Sequence, residues 1–444
     1  MPPDQSADPA ITPEADLSAA PDLVPLNMPA GGVPDVIESE RELTRAAEAI
    51  AAGTGPMAID AERASGYRYG QRAYLIQIRR EGSGTWLIDP IACPDLSPIA
   101  DVISDVEWIL HAATQDLPCL AEVGLRPTRL FDTELGGRLV GLPRVGLAAV
   151  VEHYLGLSLA KEHSAVDWST RPLPEPWLRY AALDVEVLVQ VRDLMGEDLA
   201  AQDKMPWAEQ EFDALTRFTG PPVRVEPWRR TSGLHKVRSR RGAAMVRELW
   251  QARDAIAQER DTAPGRILPD AALLDLAIRA PKNEAEISSK DGGGSGRVSR
   301  SVRRYQREWL SALERARQLA EKELPMLTVR SEGPPPPRSW ADRDPAAAAR
   351  LAQARAALGE FARARSLPVE NVLSPDSLRR VLWTPPADPT LDSVSSALLE
   401  LGARRWQIDI AGPILEEAIN RPIPPSAGVT AGVTAEVTAE VTGE

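Results

Sequence analysis

The sequence predicts an α/β domain built on one mixed sheet flanked by helices, followed by two all-α helical modules. Three observations lead there. The runs PMAIDAE, AYLIQIRR and GTWLIDP follow one another between residues 56 and 90, each bounded by Gly or Pro, and read as successive strands. From about residue 107 strand-like and helical patterns alternate, which suits a sheet covered by helices. Beyond about residue 222 the apolar spacing is helical throughout, and one stretch repeats. AIAQERDTAPGRILPDAALLDLA (255–277) matches the pattern of EFARARSLPVENVLSPDSLRRVL (360–382).

Residues 1–36 are rich in Pro, Ala and Asp with little periodicity and read as a disordered leader. The α/β domain is expected over 37–215. Within it WILHAA is a fourth strand feeding a helix that starts near Asp116. FDTELGGRLVG, GLAAVVEHYLG and a long stretch from about Glu175 to Leu199 are helical. Gly220-Pro221-Pro222 marks a break, and the first helical module is set at 222–325. Each repeat has a helix, a proline at the connection (Pro264, Pro368) and a second helix opened by Pro269-Asp270 or Pro375-Asp376, residues suited to a helix start. SEGPPPPRSWADRDP (331–345) reads as a stiff polyproline-type linker. The second module follows at 346–423. The tail 424–444 repeats small residues that cannot build a core, and it reads as disordered.

At 444 residues the chain can form two or three domains, each with its own core. Cys93 and Cys119 are its two cysteines, so neither a disulfide framework nor a thiolate metal site is indicated. No apolar run reaches the ~18 residues of a membrane span, and no basic segment followed by an apolar stretch opens the chain. A soluble cytoplasmic protein without a membrane partner is expected. The net charge of −13 argues against a nucleic-acid partner until it is mapped. Between Pro222 and Arg330 lie 23 Lys and Arg against 14 Asp and Glu, a local +9 that leaves −22 for the remainder. Lys236, Arg238, Arg240 and Arg241 cluster in LHKVRSRR. Arg297, Arg300, Arg303, Arg304 and Arg307 cluster in RVSRSVRRYQREW. Solvated helix faces would account for such clusters, but the local excess favours phosphate contact. Trp250 and Trp309, in helical patterns, are expected in the core.

The chemistry is carried by acids. Asp60 and Glu62 are two apart, so a strand points both to one face. Tyr180 and Asp184, in YAALD, are four apart and stack on one face of a helix. Asp116 stands between them, after the WILHAA run. Four acids gathered together would repel and raise one another's pKa without a cation among them, and Mg²⁺ or Mn²⁺ favours carboxylate oxygen. Singly each motif is common by chance. Their order and setting, strand pair, middle Asp, late helical pair, make them specific.

This order resembles the DEDD exonuclease superfamily in its tyrosine-bearing branch, and more narrowly the ribonuclease D family. LIDP (87–90), HAATQDL (111–117) and AVDWSTRPLPEPWLRYAALDVEVL (165–188) carry the likeness further. LHKVRSRRGAAMVRELWQARDAIAQERD and LPDAALLDLA resemble an HRDC domain, a module shared with RecQ-type helicases. The likeness covers about 37–320, and more loosely the repeat to about 420. It implies an RNase H-like exonuclease fold and two divalent cations (Mg²⁺ or Mn²⁺), with no organic cofactor. Asp60, Glu62 and Asp184 would hold the metal that activates water, and Asp60 would reach the second with Asp116. Tyr180, a poor base at its ordinary pKa of about 10, would orient the water. The implied reaction is hydrolysis of RNA from a free 3′ end, releasing 5′-nucleoside monophosphates, with tRNA precursors as the family's substrate. Two departures from the family pattern, Gln115 before the middle Asp and Ala160 before Lys161, fall outside the implied ligand set.

Other residues have simpler readings. His111 is expected to make a structural hydrogen bond at a strand end, His163 to sit in a loop, and Asp89 and Asp132 to serve turns or caps. No Walker-type phosphate loop occurs, so a helicase motor is excluded. A DNA exonuclease and a catalytically silent RNA-binding scaffold are the alternatives. Loss of any one acid would have favoured the scaffold.

Overall fold

The strand runs expected between 56 and 90 form the middle of a six-stranded sheet. A computed structural model describes residues 23–159, 163, 165–287, 300, 302–328 and 333–423. Its strands are β1 (Val24–Leu26), β2 (Val36–Ile37), β3 (Thr54–Arg63), β4 (Ala73–Glu81), β5 (Gly84–Ile88), β6 (Glu107–Leu110), β7 (Arg129–Asp132) and β8 (Leu157–Leu159). The main sheet runs β2-β5-β4-β3-β6-β7. β4 is antiparallel to β5 and β3, while β2–β5, β3–β6 and β6–β7 are parallel, so the sheet is mixed. β3 lies inside it, and Met57, Ala58 and Ile59 are fully buried, as expected of a strand covered on both faces. Its ladder with β6 spans Met57↔Trp108 and Ala58↔Ile109. Among the described residues no further pairing is made along that edge of β3 beyond Ala58.

Helices α1 (Glu40–Ala52), α2 (Ser97–Ile103), α3 (Leu117–Glu122), α4 (Thr133–Val140), α5 (Leu147–Leu155), α6 (Glu175–Glu186), α7 (Leu188–Ala201) and α8 (Met205–Thr216) cover the sheet. In α1 the Ser39 hydroxyl accepts from the Glu42 amide, and Leu43, Ala46, Ala47 and Ile50 form its buried stripe. The long helix expected from 175 to 199 is divided at Val187, because α6 packs on β3, β4 and β5 whereas α7 turns toward α4 and α5. FDTELGGRLVG is helical only from Thr133; its first residues complete β7, and Asp132 caps α4.

The first helical module contains α9 (Arg240–Glu259), α10 (Pro264–Ile267), α11 (Asp270–Arg279), α12 (Glu284–Ile287) and the helix Gln306–Gln318. Trp309 is fully buried in its core, and Trp250 packs against it part-buried. The second module has helices Trp340–Arg343, Pro345–Ala364, Val369–Val372, Pro375–Trp383, Leu391–Glu400 and Arg405–Asn420. The repeat seen in the sequence is visible here: a 20-residue helix, a 4-residue helix and one of 10 or 9 residues recur in the same order.

Two expected boundaries are corrected. The leader assigned to 1–36 contains β1, which pairs in parallel with β8 and donates from the Val24 amide to the Gly156 carbonyl at 3.0 Å. The linker assigned to 331–345 is extended at Pro336, but Trp340 within it is fully buried against Trp383. Its indole N–H donates to the Pro335 carbonyl at 2.8 Å, so burying one tryptophan turns a spacer into part of the module. The tail 424–444 and Ala160-Lys161 lie outside the described residues.

Both modules dock on the first domain. Trp406 stacks on Trp207 with ring centroids 4.9 Å apart, and its N–H donates to the buried Glu211 carboxylate at 2.9 Å. The first module grips the loop between β3 and β4. Arg266 donates to the Gly66 carbonyl at 2.7 Å and covers the Tyr67 ring at 3.9 Å, while the Tyr69 hydroxyl donates to Asp254 at 3.1 Å. Among the described residues no helix is long and apolar enough to cross a membrane.

Candidate active site

Strand β3 carries Asp60 and Glu62 on one face, and α6, lying on that face, carries Tyr180 and Asp184 one turn apart. Asp60, Glu62 and Asp184 each offer an oxygen, and these three atoms lie within 4.8 Å of one another. Asp116 lines the same cleft, about 750 Å³ in volume, from the loop that follows β6. It falls outside the group of three.

The loop bearing Asp116 is held by Asp132. Its carboxylate accepts from the amides of Ala112 (3.0 Å) and Ala113 (2.9 Å) while capping α4 through Glu134 and Leu135. Ala112 takes a left-handed conformation, φ 61°, at this bend. The Cys119 thiol donates to the Asp116 carbonyl at 3.1 Å, and burial raises that thiol to about 12, so it stays protonated. His111, just past the end of β6, places Nδ1 2.9 Å from the Thr133 hydroxyl. Burial lowers its pKa to about 4, so it is neutral at pH 7. Both Asp132 and His111 keep the structural roles expected of them. So does Asp89, which accepts from the Ile91 amide at 2.8 Å and binds Arg171 at 2.6 Å.

The acids are poised for a cation. Burial pushes Asp60 up to about 6. Glu62 is raised well above the usual carboxylate range by burial and then by Asp60, Asp184 and Asp116. Burial and the neighbouring Asp60 likewise raise Asp116 and Asp184. Burial and the adjacent Asp184 hold the Tyr180 phenol protonated well past its ordinary range. An all-oxygen set of buried, mutually repelling carboxylates fits a hard divalent ion, whose charge would relieve the repulsion. His163 sits in a bend, its ring centroid 6.3 Å from that of Tyr180.

The sequence does not disclose Gln77. It stands directly opposite Asp60 in the β3–β4 ladder, is fully buried, and its amide meets no protein partner. No local pattern marks it, because its meaning lies in the strand register.

The basic clusters divide. Arg240 and Arg241, expected as phosphate ligands, are part-exposed but spend their donors on backbone carbonyls and so serve the structure of the module. Arg241 donates to the carbonyls of Ala316, Arg317 and Leu319, closing the end of the helix Gln306–Gln318, and Arg240 donates to those of Glu321 and Leu324. Lys236, Arg238, Arg300, Arg303 and Arg304 are exposed. Arg307 is exposed too, 4.0 Å from Glu284. Arg297 lies outside the described residues. Arg241→Ala is therefore expected to lower thermal stability by about 1–3 kcal/mol through orphaned carbonyls, whereas Arg238→Ala leaves it unchanged; parallel melting curves check both.

The comparisons with known proteins follow this division. Residues 34–200 match a family described as 3′-5′ exonuclease, 243–313 the HRDC domain, and 333–419 a 3′ to 5′ exonuclease C-terminal domain. The second helical module thus has a family description distinct from HRDC, although its helix order repeats that of the first. A ribonuclease D of Jannaschia sp. is 33% identical over 267 residues, 57% of this chain and 68% of the relative. A ribonuclease D of Escherichia coli is 30% identical over 297 residues, 66% of this chain and 75% of the relative. Among solved structures, a protein from Bifidobacterium adolescentis superposes with TM-score 0.80 at 39% identity, covering 90% of this chain and all of that one. Escherichia coli RNase D, described as an exoribonuclease involved in structured RNA processing, gives 0.64 at 25% identity, covering 87% and 98%.

Proposed function

This chain belongs to the ribonuclease D family, and from that premise we propose how its cleft works as a divalent-metal-dependent 3′→5′ exoribonuclease. The observation that carries the reading is the convergence of Asp60, Glu62 and Asp184 beside Tyr180. The three carboxylates would hold one divalent ion, and Asp60 with Asp116 would hold a second. Bound there, such ions lower the pKa of the attacking water and stabilise the attacking and leaving oxygens. The chain's own groups do the rest. Tyr180, its phenol kept protonated, would orient the water by hydrogen bond for in-line attack on the 3′-terminal phosphodiester. Neutral His111 adds no positive charge to the ion site. The products are 5′-nucleoside monophosphates released one at a time. Natural substrates are RNAs with accessible 3′ ends, tRNA precursors among them.

The test is a time course on 5′-labelled and 3′-labelled RNA with Mg²⁺, Mn²⁺ or EDTA, beside DNA of the same sequence. Stepwise shortening of the 5′-labelled RNA with metal, mononucleotide from the 3′ label and no reaction in EDTA are expected. Equal attack on DNA would overturn the RNA assignment. Binding of RNA without cleavage under any metal would leave only a scaffold.

A further inference from the structure

One cation in the cleft is unused by this account. Arg63 ends β3 directly after Glu62 and lines the same cleft as Asp60, Glu62, Asp116 and Asp184. Strand alternation sets Arg63 on the face opposite Glu62. It lines the cleft nonetheless, at the point where the β3–β4 register shifts between Glu62↔Leu75 and Arg63↔Ala73. Arg144, another guanidinium on its wall, is engaged by Glu152 at 3.2 Å. Arg63 makes no hydrogen bond or ion pair with any described residue, although its charge draws Asp60, Glu62 and Asp116 downward against burial.

A countercharge built for these acids would sit in hydrogen-bonded contact with one of them, as Arg171 does with Asp89. Arg63 instead leaves its five donors free of protein acceptors in a part-buried position beside the acids. The fork of a guanidinium matches the oxygens of a phosphate better than any other group the cleft would meet. We propose that Arg63 binds a backbone phosphate of the RNA strand entering the cleft and so sets the strand's position against the acids. This inference rests on RNA being the substrate.

The experiment is fluorescence anisotropy of a 5′-labelled oligoribonucleotide in EDTA across a range of KCl concentrations. It compares wild type, Arg63→Gln and Arg63→Lys. For Arg63→Gln, Kd is expected to rise roughly tenfold at low salt. The slope of log Kd against log salt should become shallower by about 0.7, the value for one lost single-strand phosphate contact. Arg63→Lys keeps the slope and loses part of the affinity, since a point charge replaces the fork. A wild-type slope in Arg63→Gln overturns the proposal. Calorimetric titration of Mn²⁺ into RNA-free protein adds a second arm. Somewhat tighter metal binding in Arg63→Gln is expected from loss of its field on the acids, and tighter metal binding with an unchanged RNA slope would make Arg63 a countercharge instead. Hydrolysis by wild type in Mg²⁺ is run alongside. If that fails while the slope still shifts, the exoribonuclease reading falls and the phosphate contact stands; the converse removes Arg63 alone.

Discussion

Asp60→Asn should reduce RNA hydrolysis by on the order of 10³-fold or more, several kcal/mol of lost transition-state stabilisation, yet make the metal-free protein harder to unfold at pH 8. Asp60 belongs to the group of three converging oxygens and its charge acts on Asp116, so in the proposed reading both ion positions would depend on it. The stability effect has a definite sign. An acid whose folded pKa lies above its ordinary value of 3.8 stabilises the fold while protonated. That contribution is complete at pH values below the ordinary one and is lost as pH rises through about 6. At pH 8 the metal-free wild type holds an ionised, buried Asp60 among other acids. The amide removes that repulsion, for a gain of about 1–3 kcal/mol that vanishes near pH 4. Melting curves with EDTA at the two pH values check it. A variant less stable than wild type at pH 8 would show Asp60 to be a structural acid.

The second large effect lies far from the cleft. Trp406→Ala should cost about 3–5 kcal/mol, as for other buried aromatic truncations. It removes the stacking on Trp207 and leaves the Glu211 carboxylate, already raised by burial, facing Arg404 alone at 3.3 Å. Denaturant unfolding gives the magnitude. Limited proteolysis should show the helices after Trp340 becoming susceptible before the sheet does. Uniform susceptibility of both would mean that the module and the sheet unfold as one unit.

Much of this was legible from residue order. Asp60 and Glu62 declare a strand by spacing, Tyr180 and Asp184 a helix, and the structure brings the two pairs to one cleft. The helical repeat could be read because Pro264 and Pro368 punctuate it alike. What was not legible depends on partners remote in sequence. Arg240 and Arg241 read as a basic patch because nothing local reveals the carbonyls of residues 316–324 that they serve. Trp340 read as part of a spacer because its burial requires Trp383. Val24 read as leader because its strand partner begins at Leu157. Gln77 was invisible for the same reason. Arg63 was passed over since strand alternation turns it away from Glu62, and the register shift with β4 at that point is invisible in the local sequence.

The division of the ion site between β3 and α6 also bears on how the enzyme comes into being. The strand is made early and the helix late, with most of the first domain between them, and closing so long a loop precedes any reward from the contact. A growing polypeptide that has not yet delivered α6 lacks Asp184 and Tyr180. For the same reason, recovery of hydrolysis after dilution from denaturant should trail the return of helical circular dichroism, marking completion of the domain rather than its onset.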